Sequence, residues 1–238
     1  MGNPLFPGKY SLHLEYPIGV VRYTQHIDEI FKSASLIKLP IFFYGFHYAK
    51  DLEEFVEVSP ADLVDGSGVV QTLVTETRMV SVRDLHVLMM VVSDNTATNL
   101  LIRRYGIKRL NSFMQHLGMT QSTLGREMRD HEAISKGQDN FTCGRDMVAC
   151  LRHMANSPVF HDILHILERQ QFKDKVPASV NSDQFVFFNK TGELDEVDHD
   201  AGFFVYKGQV GLFVGLTESD KPHGRKLLHE FGQLFDDL

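Results

Sequence analysis

Strand-like segments stand at both ends of this chain, and the long stretch between them is helical. That order leaves few ways to bury apolar surface, because strands at the two ends must find each other across whatever the helices build. Near the start, Lys9–Tyr16 and Gly19–Tyr23 read as a hairpin around a turn containing Pro17. Toward the end, β character returns in Gln184–Lys190, Gly202–Tyr206 and Gln209–Leu216. A last helix, Gly224–Phe235, carries Leu227, Leu228, Phe231, Leu234 and Phe235 at the spacing of one buried face.

Between them, Ser33–Lys50 reads as a buried helix starting near Ser35, with Pro40 early enough to be tolerated. Ser81 and Asp84 form a capping pattern that opens Val82–Val92. Helices follow at Ala97–Tyr105 and Lys108–Leu117, closed by Gly106 and Gly118, residues suited to the left-handed position after a helix end. Gly144–Ala155 and Phe160–Gln171 complete the helical block. The expected fold class is α+β: one antiparallel sheet formed by both chain ends, flanked by helices, with an all-α subdomain inserted. No repeat or linker interrupts the chain, so residues 1–238 are expected to form a single domain, its α/β part about 1–45 and 184–238 and its helical part about 46–183.

Composition narrows the partners. At 238 residues and 43% hydrophobic, the chain can build an ordinary core, and its net charge of −7 comes without any basic block. Nucleic acid and anionic membranes are bound through clustered Lys and Arg, so neither is an expected partner. The apolar stretches around Leu36–Phe46 and Leu85–Val92 are too short to span a bilayer. The opening residues lack the basic and apolar regions of a secretory peptide, and Phe6 breaks the myristoylation spacing. The protein is cytoplasmic as written, or secreted if a leader has been removed. Cys143 and Cys150, seven apart in what reads as one helix, are separated by roughly 10 Å, beyond disulfide reach. His161 and His165 could share an ion from one helix face, but no H-E-x-x-H pattern accompanies them, and no metal or cofactor is assigned. Gly66-Ser67-Gly68 reads as a loop tip, since no Lys-Ser/Thr follows it as in a phosphate cradle.

Three short motifs carry the chemistry: Ser35-Leu-Ile-Lys38, Ser93-Asp94-Asn95 and Lys190-Thr191-Gly192. About one S-x-x-K is expected by chance in a chain of this length, and each triplet a few times per hundred chains. Their order and placement together are what give weight. Ser35 and Lys38, three apart, project from one face of a helix. A serine hydroxyl needs a neighbouring base, and a lysine among Leu36, Ile37, Leu39 and Ile41 loses water, which favours its neutral amine. Backbone N–H groups at the helix start suit a developing oxyanion. Each motif alone also has a plain reading: a capping serine with a snorkelling lysine, an inter-helix turn, and a strand ending in a turn.

This trio resembles that of class A β-lactamases and penicillin-binding enzymes, and Phe31–Pro40 and Val92–Leu100 are similar to the family's surroundings of its first two motifs. The resemblance runs from about Lys9 to the C-terminus. It implies a serine hydrolase that acylates Ser35 and acts on a small acyl substrate, a β-lactam or a related amide or ester, without a cofactor. By resemblance Lys38 assists Ser35, Ser93 relays a proton to the leaving nitrogen, and Asn95 holds the substrate's amide. Lys190 supplies a positive field, Thr191 a hydroxyl, Gly192 room for a ligand to approach, and Glu193 the second oxyanion N–H; Asp94 is structural. Gly125-Arg126-Glu127 followed by His131-Glu132-Ala133-Ile134 resembles the deacylation loop and puts Glu127 at the base position.

Departures from the family pattern leave alternatives open. His131 stands where the family has an asparagine that helps hold water, which points to slow turnover. Glu193, Asp195, Glu196, Asp198 and Asp200 form a run of five acids in eight residues, and no arginine follows the third motif until Arg225. Such a run would repel an anionic substrate and favour neutral or cationic acyl compounds. The first strand starts too early for the family's preceding helix, so either a second copy covers the apolar face around Leu228, Phe231 and Phe235 or a preceding segment has been removed; monomer and homodimer both stand. A Ser–Lys peptidase or esterase, and an acylation sensor without turnover, share the same motifs.

Overall fold

A computed structural model describes residues 7–49 and 51–238. Its central sheet has five antiparallel strands in the order β2-β1-β9-β8-β7, formed by β1 (Lys9–Glu15), β2 (Val21–Gln25), β7 (Val186–Glu193), β8 (Val197–Tyr206) and β9 (Gln209–Glu218). The expected sheet from both chain ends is therefore present. Lys207 and Gly208 join β8 to β9 with φ of 46° and 75°, the left-handed pair of a tight hairpin turn. Side chains alternate across the sheet. Phe204 and Phe213 point to one face with Phe231 and Phe235 of the C-terminal region, whereas Phe203, Leu212 and Val214 enter the larger core on the other.

The helical block holds α1 (Lys38–Tyr44), α2 (Val70–Leu73), α3 (Val82–Val91), α4 (Asn95–Tyr105), α5 (Ile107–His116), α6 (His131–Ser135), α7 (Gly144–Ala155) and α8 (Phe160–Leu167). It is not all-α. The strands β3 (Ile30–Lys32) and β6 (Phe141–Cys143) pair with each other, as do β4 (Phe55–Val58) and β5 (Arg78–Ser81). At three or four residues each, these strands are too short for alternation to show in a sequence. Cys143 accordingly ends a strand, with only Cys150 inside α7, and both are buried free thiols.

The expected helix over Ser33–Lys50 is subdivided: a 3₁₀ turn over Ala34–Ile37, then α1, then a π turn over Gly45–Ala49, with Lys50 outside the described residues. Strands β7 and β8 run further into the acidic run than alternation suggested, because ion pairs and hydrogen bonds allow Asp198, His199 and Asp200 to be buried. The last helix, α9 (Lys221–Gln233), begins earlier than expected, where Asp220 accepts from the N–H of His223. Its apolar face is not left for a second copy. Leu228, Phe231 and Phe235 are each at most 1% exposed, packed on the chain's own sheet and on Val176. Among the described residues no helix is long and apolar enough to cross a membrane.

Leu228→Ala removes a fully buried side chain from this layer and should lower unfolding free energy by about 2–5 kcal/mol, read from urea denaturation. A loss under about 1 kcal/mol would mean that the α9 face is loosely packed.

Candidate active site

The three motifs meet at the free edge of β7. Ser35 sits in the 3₁₀ turn ahead of α1, and this turn packs directly on the strand. A Cβ at Gly192 would come within 3.2 Å of the Ala34 side chain and 3.3 Å of the Leu36 nitrogen. The glycine thus admits the backbone of the serine turn, rather than a ligand as the sequence suggested. Ala34, with φ of 45°, bends the chain into that turn, and the carbonyl of Asn140 accepts from the N–H of Ser33.

Ser93-Asp94-Asn95 joins α3 to α4. Asp94 caps α4 by accepting from the N–H of Ala97 at 2.9 Å, and its other oxygen accepts from the N–H groups of Val69 and Val70 at 2.7 and 2.9 Å. These bonds fix the Gly66-Ser67-Gly68 loop beside the motif, and the Ser67 carbonyl accepts from the Asn95 N–H. Gly68, at φ 114°, lies where a Cβ would strike the Asp94 carboxylate at 2.2 Å. The loop tip is therefore a wall of the site. Its two glycines were the available signal.

Two lysines converge on Ser93. The Lys38 Nζ donates to the Ser93 carbonyl at 2.6 Å and to Asn95 Oδ1 at 2.9 Å, and lies 3.1 Å from Ser93 Oγ. From the other side the Lys190 Nζ reaches Ser93 Oγ at 3.0 Å and donates to the Thr191 carbonyl at 2.7 Å. Both lysines are fully buried. Burial pulls the Lys38 amine down to about 7, against the opposing charge of Asp94. Burial, reinforced by the charges of Lys38 and Lys175, brings Lys190 well below the ordinary lysine range. Ser93 itself has φ of 57°, a conformation unusual for a residue with a side chain.

The expected pairing of Ser35 with Lys38 is not formed as a hydrogen bond. Lys38 spends its bonds on Ser93 and Asn95, and the Ser35 hydroxyl, partly exposed, lines a cleft of about 830 Å³. The oxyanion-hole geometry follows from strand alternation. The Leu194 N–H bonds the Val197 carbonyl inside the β7–β8 pair, so the N–H of Glu193, one residue back, faces the free edge. Ser35, Thr191 and Glu193 all line the cleft.

Glu127 is elsewhere. Its carboxylate is clamped by Arg103 of α4, at 2.9 Å and 3.1 Å from Nε and 2.7 Å from Nη2, and it does not line the cleft. Its loop is fixed by the Arg126–Asp139 ion pair at 2.7 Å and by Asn99, which bonds both the N–H and the carbonyl of Met128. Met128 and His131 face the chamber beside Ser35 instead.

The acidic run is largely matched by cations that the sequence did not associate with it. Lys175 pairs with Asp198, as does Arg225 at 2.7 Å, and Lys221 holds Glu193 at 2.8 Å. Asp200 is fully buried and accepts from Asn189 and from the N–H of Val176. Burial pushes its carboxyl up to about 7. Glu193, Asp195 and Glu196 of the run remain exposed, and Glu193 is paired with Lys221, so the expected repulsion is reduced to the unpaired Asp195 and Glu196 on the cleft's outer rim. Lys175 had no sequence signal, lying in the short loop segment Lys173-Asp174-Lys175 far from the acidic run.

The profile of the beta-lactamase enzyme family, Beta-lactamase2, matches residues 6–236. The chain belongs to the beta-lactamase enzyme family. Among solved structures it is similar to a beta-lactamase from Sphaerobacter thermophilus, with 24% identity and a TM-score of 0.86 over 96% of this chain and 90% of that one. PBP-A matches at 24% identity and TM-score 0.86, over 98% and 92% of the two chains. A beta-lactamase from Chitinophaga pinensis matches at 16% identity and TM-score 0.87, over 98% and 94%. Family and fold make this protein a beta-lactamase-like hydrolase.

Asp94→Ala would strip the acceptor from three N–H groups and release the loop wall, at a cost of about 3 kcal/mol in urea unfolding. Stability within 0.5 kcal/mol of the parent, the scatter of an ordinary surface change, would rule out that bracing role.

Proposed function

We propose that this beta-lactamase-family protein forms an acyl-enzyme on Ser35 and opens cyclic amides of the β-lactam type, with slow release of the acyl group. The observation that carries the reading is the convergence of two buried amines on Ser93, at the edge of a cleft lined by Ser35. A neutral Lys38 exchanges one of its present partners for the Ser35 hydroxyl and takes its proton as Oγ bonds the carbonyl carbon. The N–H groups of Ser35 and Glu193 receive the oxyanion. When the carbon–nitrogen bond breaks, the Ser93 hydroxyl passes a proton from the lysine pair to the leaving nitrogen. Lys190 holds Ser93, while Asn95 and Thr191 orient the substrate and Gly192 keeps the serine turn against the strand.

Glu127, tied to Arg103, takes no part in this scheme, which favours a persistent adduct. Intact-mass measurement with a fluorescent penicillin and a chromogenic cephalosporin should show a Ser35-dependent adduct, absent in Ser35→Ala and unchanged in lifetime in Glu127→Gln. Acylation should rise with pH as Lys38 deprotonates and level off above about 7. Adducts on Ser35→Ala, or a rate that does not vary with pH around 7, would exclude this mechanism.

Substrate charge follows from the same surroundings. The cations near the β7–β8 turn are already matched by Asp198, Asp174 and Glu193, and Asp195 and Glu196 stay exposed. A neutral acyl ester should therefore acylate at least as fast as a penicillin; a strong preference for the penicillin would count against that. Efficient turnover of the ester with no β-lactam adduct would favour the Ser–Lys esterase or peptidase alternative. A permanent adduct with every probe would favour an acylation sensor.

A further inference from the structure

We propose that His131 is the general base that activates water to release the acyl group from Ser35; this rests on the acyl-serine reading above. Ser35 lines two spaces: the cleft of about 830 Å³, which has room for the substrate, and a smaller chamber of about 180 Å³ beside it, where a water could stand against the ester with a base on the same wall. The titratable side chains that line this chamber are Arg126, Arg129, His131 and Glu193.

Three of the four are unsuitable as proton acceptors. A guanidinium offers donors and no acceptor, and each arginine is already held, Arg126 by Asp139 and Arg129 by Asp65. Burial works against the charge of Glu193, but the hydrogen bond from Lys221 and the charges of Lys175, Lys221 and Arg225 outweigh it and keep the carboxyl below its ordinary range. A carboxylate so stabilised is a poor base. Lys38 is fully buried and does not line the chamber, and Glu127 is bound to Arg103 outside it.

His131 remains. It is the first residue of α6, and its backbone is fixed by Asp130, whose carboxylate accepts from the N–H of Ala133 at 2.9 Å. Its imidazole makes no hydrogen bond among the described residues, so a neutral ring offers one acceptor nitrogen to the chamber. The charged groups around it are Asp65 and Arg129, joined to each other, with Arg126 and Glu193 on the chamber wall. In the step, the water oxygen bonds the ester carbon while its proton goes to the imidazole. The bond from that carbon to Ser35 Oγ then breaks, and the imidazolium returns the proton to Oγ.

The test separates release from acylation. Wild type, His131→Asn, His131→Ala and Glu127→Gln are acylated with a fluorescent penicillin, a chromogenic cephalosporin and a neutral ester, and adduct decay is followed by intact mass across pH. Acylation should persist in the His131 variants while decay slows about 100-fold. The pH limb of decay should vanish in both, and added imidazole should restore part of the rate in His131→Ala. Glu127→Gln should decay like wild type. Decay in His131→Asn at the wild-type rate, with the same pH profile, would overturn His131 as base and leave the acyl-serine reading standing. No adduct on wild type with any probe would instead overturn that reading and this one with it.

Discussion

Two amines without access to water share one hydroxyl, and the rest of the site is arranged around keeping them there. An ammonium moved out of water must be paired or must give up its proton. Neither Lys38 nor Lys190 has a carboxylate as a hydrogen-bond partner; their acceptors are carbonyls, Asn95 Oδ1 and Ser93 Oγ. Each also raises the cost of charging the other. The balance shifts toward the neutral amine in both, to about 7 for Lys38, and a neutral lysine can accept a proton from a serine. The fold supplies that environment by sandwiching Ser93 between α1 and the free edge of β7, with Asp94 fixing the turn and holding the glycine loop against it.

The outline of this arrangement was legible in the chain because it rests on local rules. Gly106 and Gly118 end their helices with φ of 84° and 80°, as a residue without a side chain should. The paired apolar positions of α9 do face the sheet. What could not be read was set by long-range pairing. β3 and β6 are three residues each and exist only because each finds the other across more than a hundred residues. β8 begins at Val197, inside a run of acids that no periodicity argument would place in a buried strand. Lys175, Lys221 and Arg225, from two other parts of the chain, make that possible.

The same contrast applies to the candidate residues. Ser35, Lys38, Ser93, Asn95, Lys190 and Thr191 come together because three motifs close a short distance across β7, α1 and the α3–α4 turn. Glu127 does not join them, although the residues around it match the family's loop. A sequence pattern states which residue follows which, but not which neighbour captures a carboxylate. Arg103 projects from the exposed side of α4 and offers a two-point partner, and Asp62 holds the same guanidinium at 3.1 Å.

Capture of Glu127 has a consequence for the chemistry. Acylation and release make different demands: the first needs a base next to the serine hydroxyl, the second a base next to water on the opened side of the ester. In the proposed scheme the first demand is met from the interior, by Lys38, whose amine burial pulls down to about 7. The second would be met from the chamber wall, where the exposed side chain of His131 stands. Separating the two bases in this way, one buried and one at the surface, would let the two steps respond differently to pH and to substitution. A single carboxylate serving the cleft would not allow that separation, and the Arg103 clamp is what removes the carboxylate from contention.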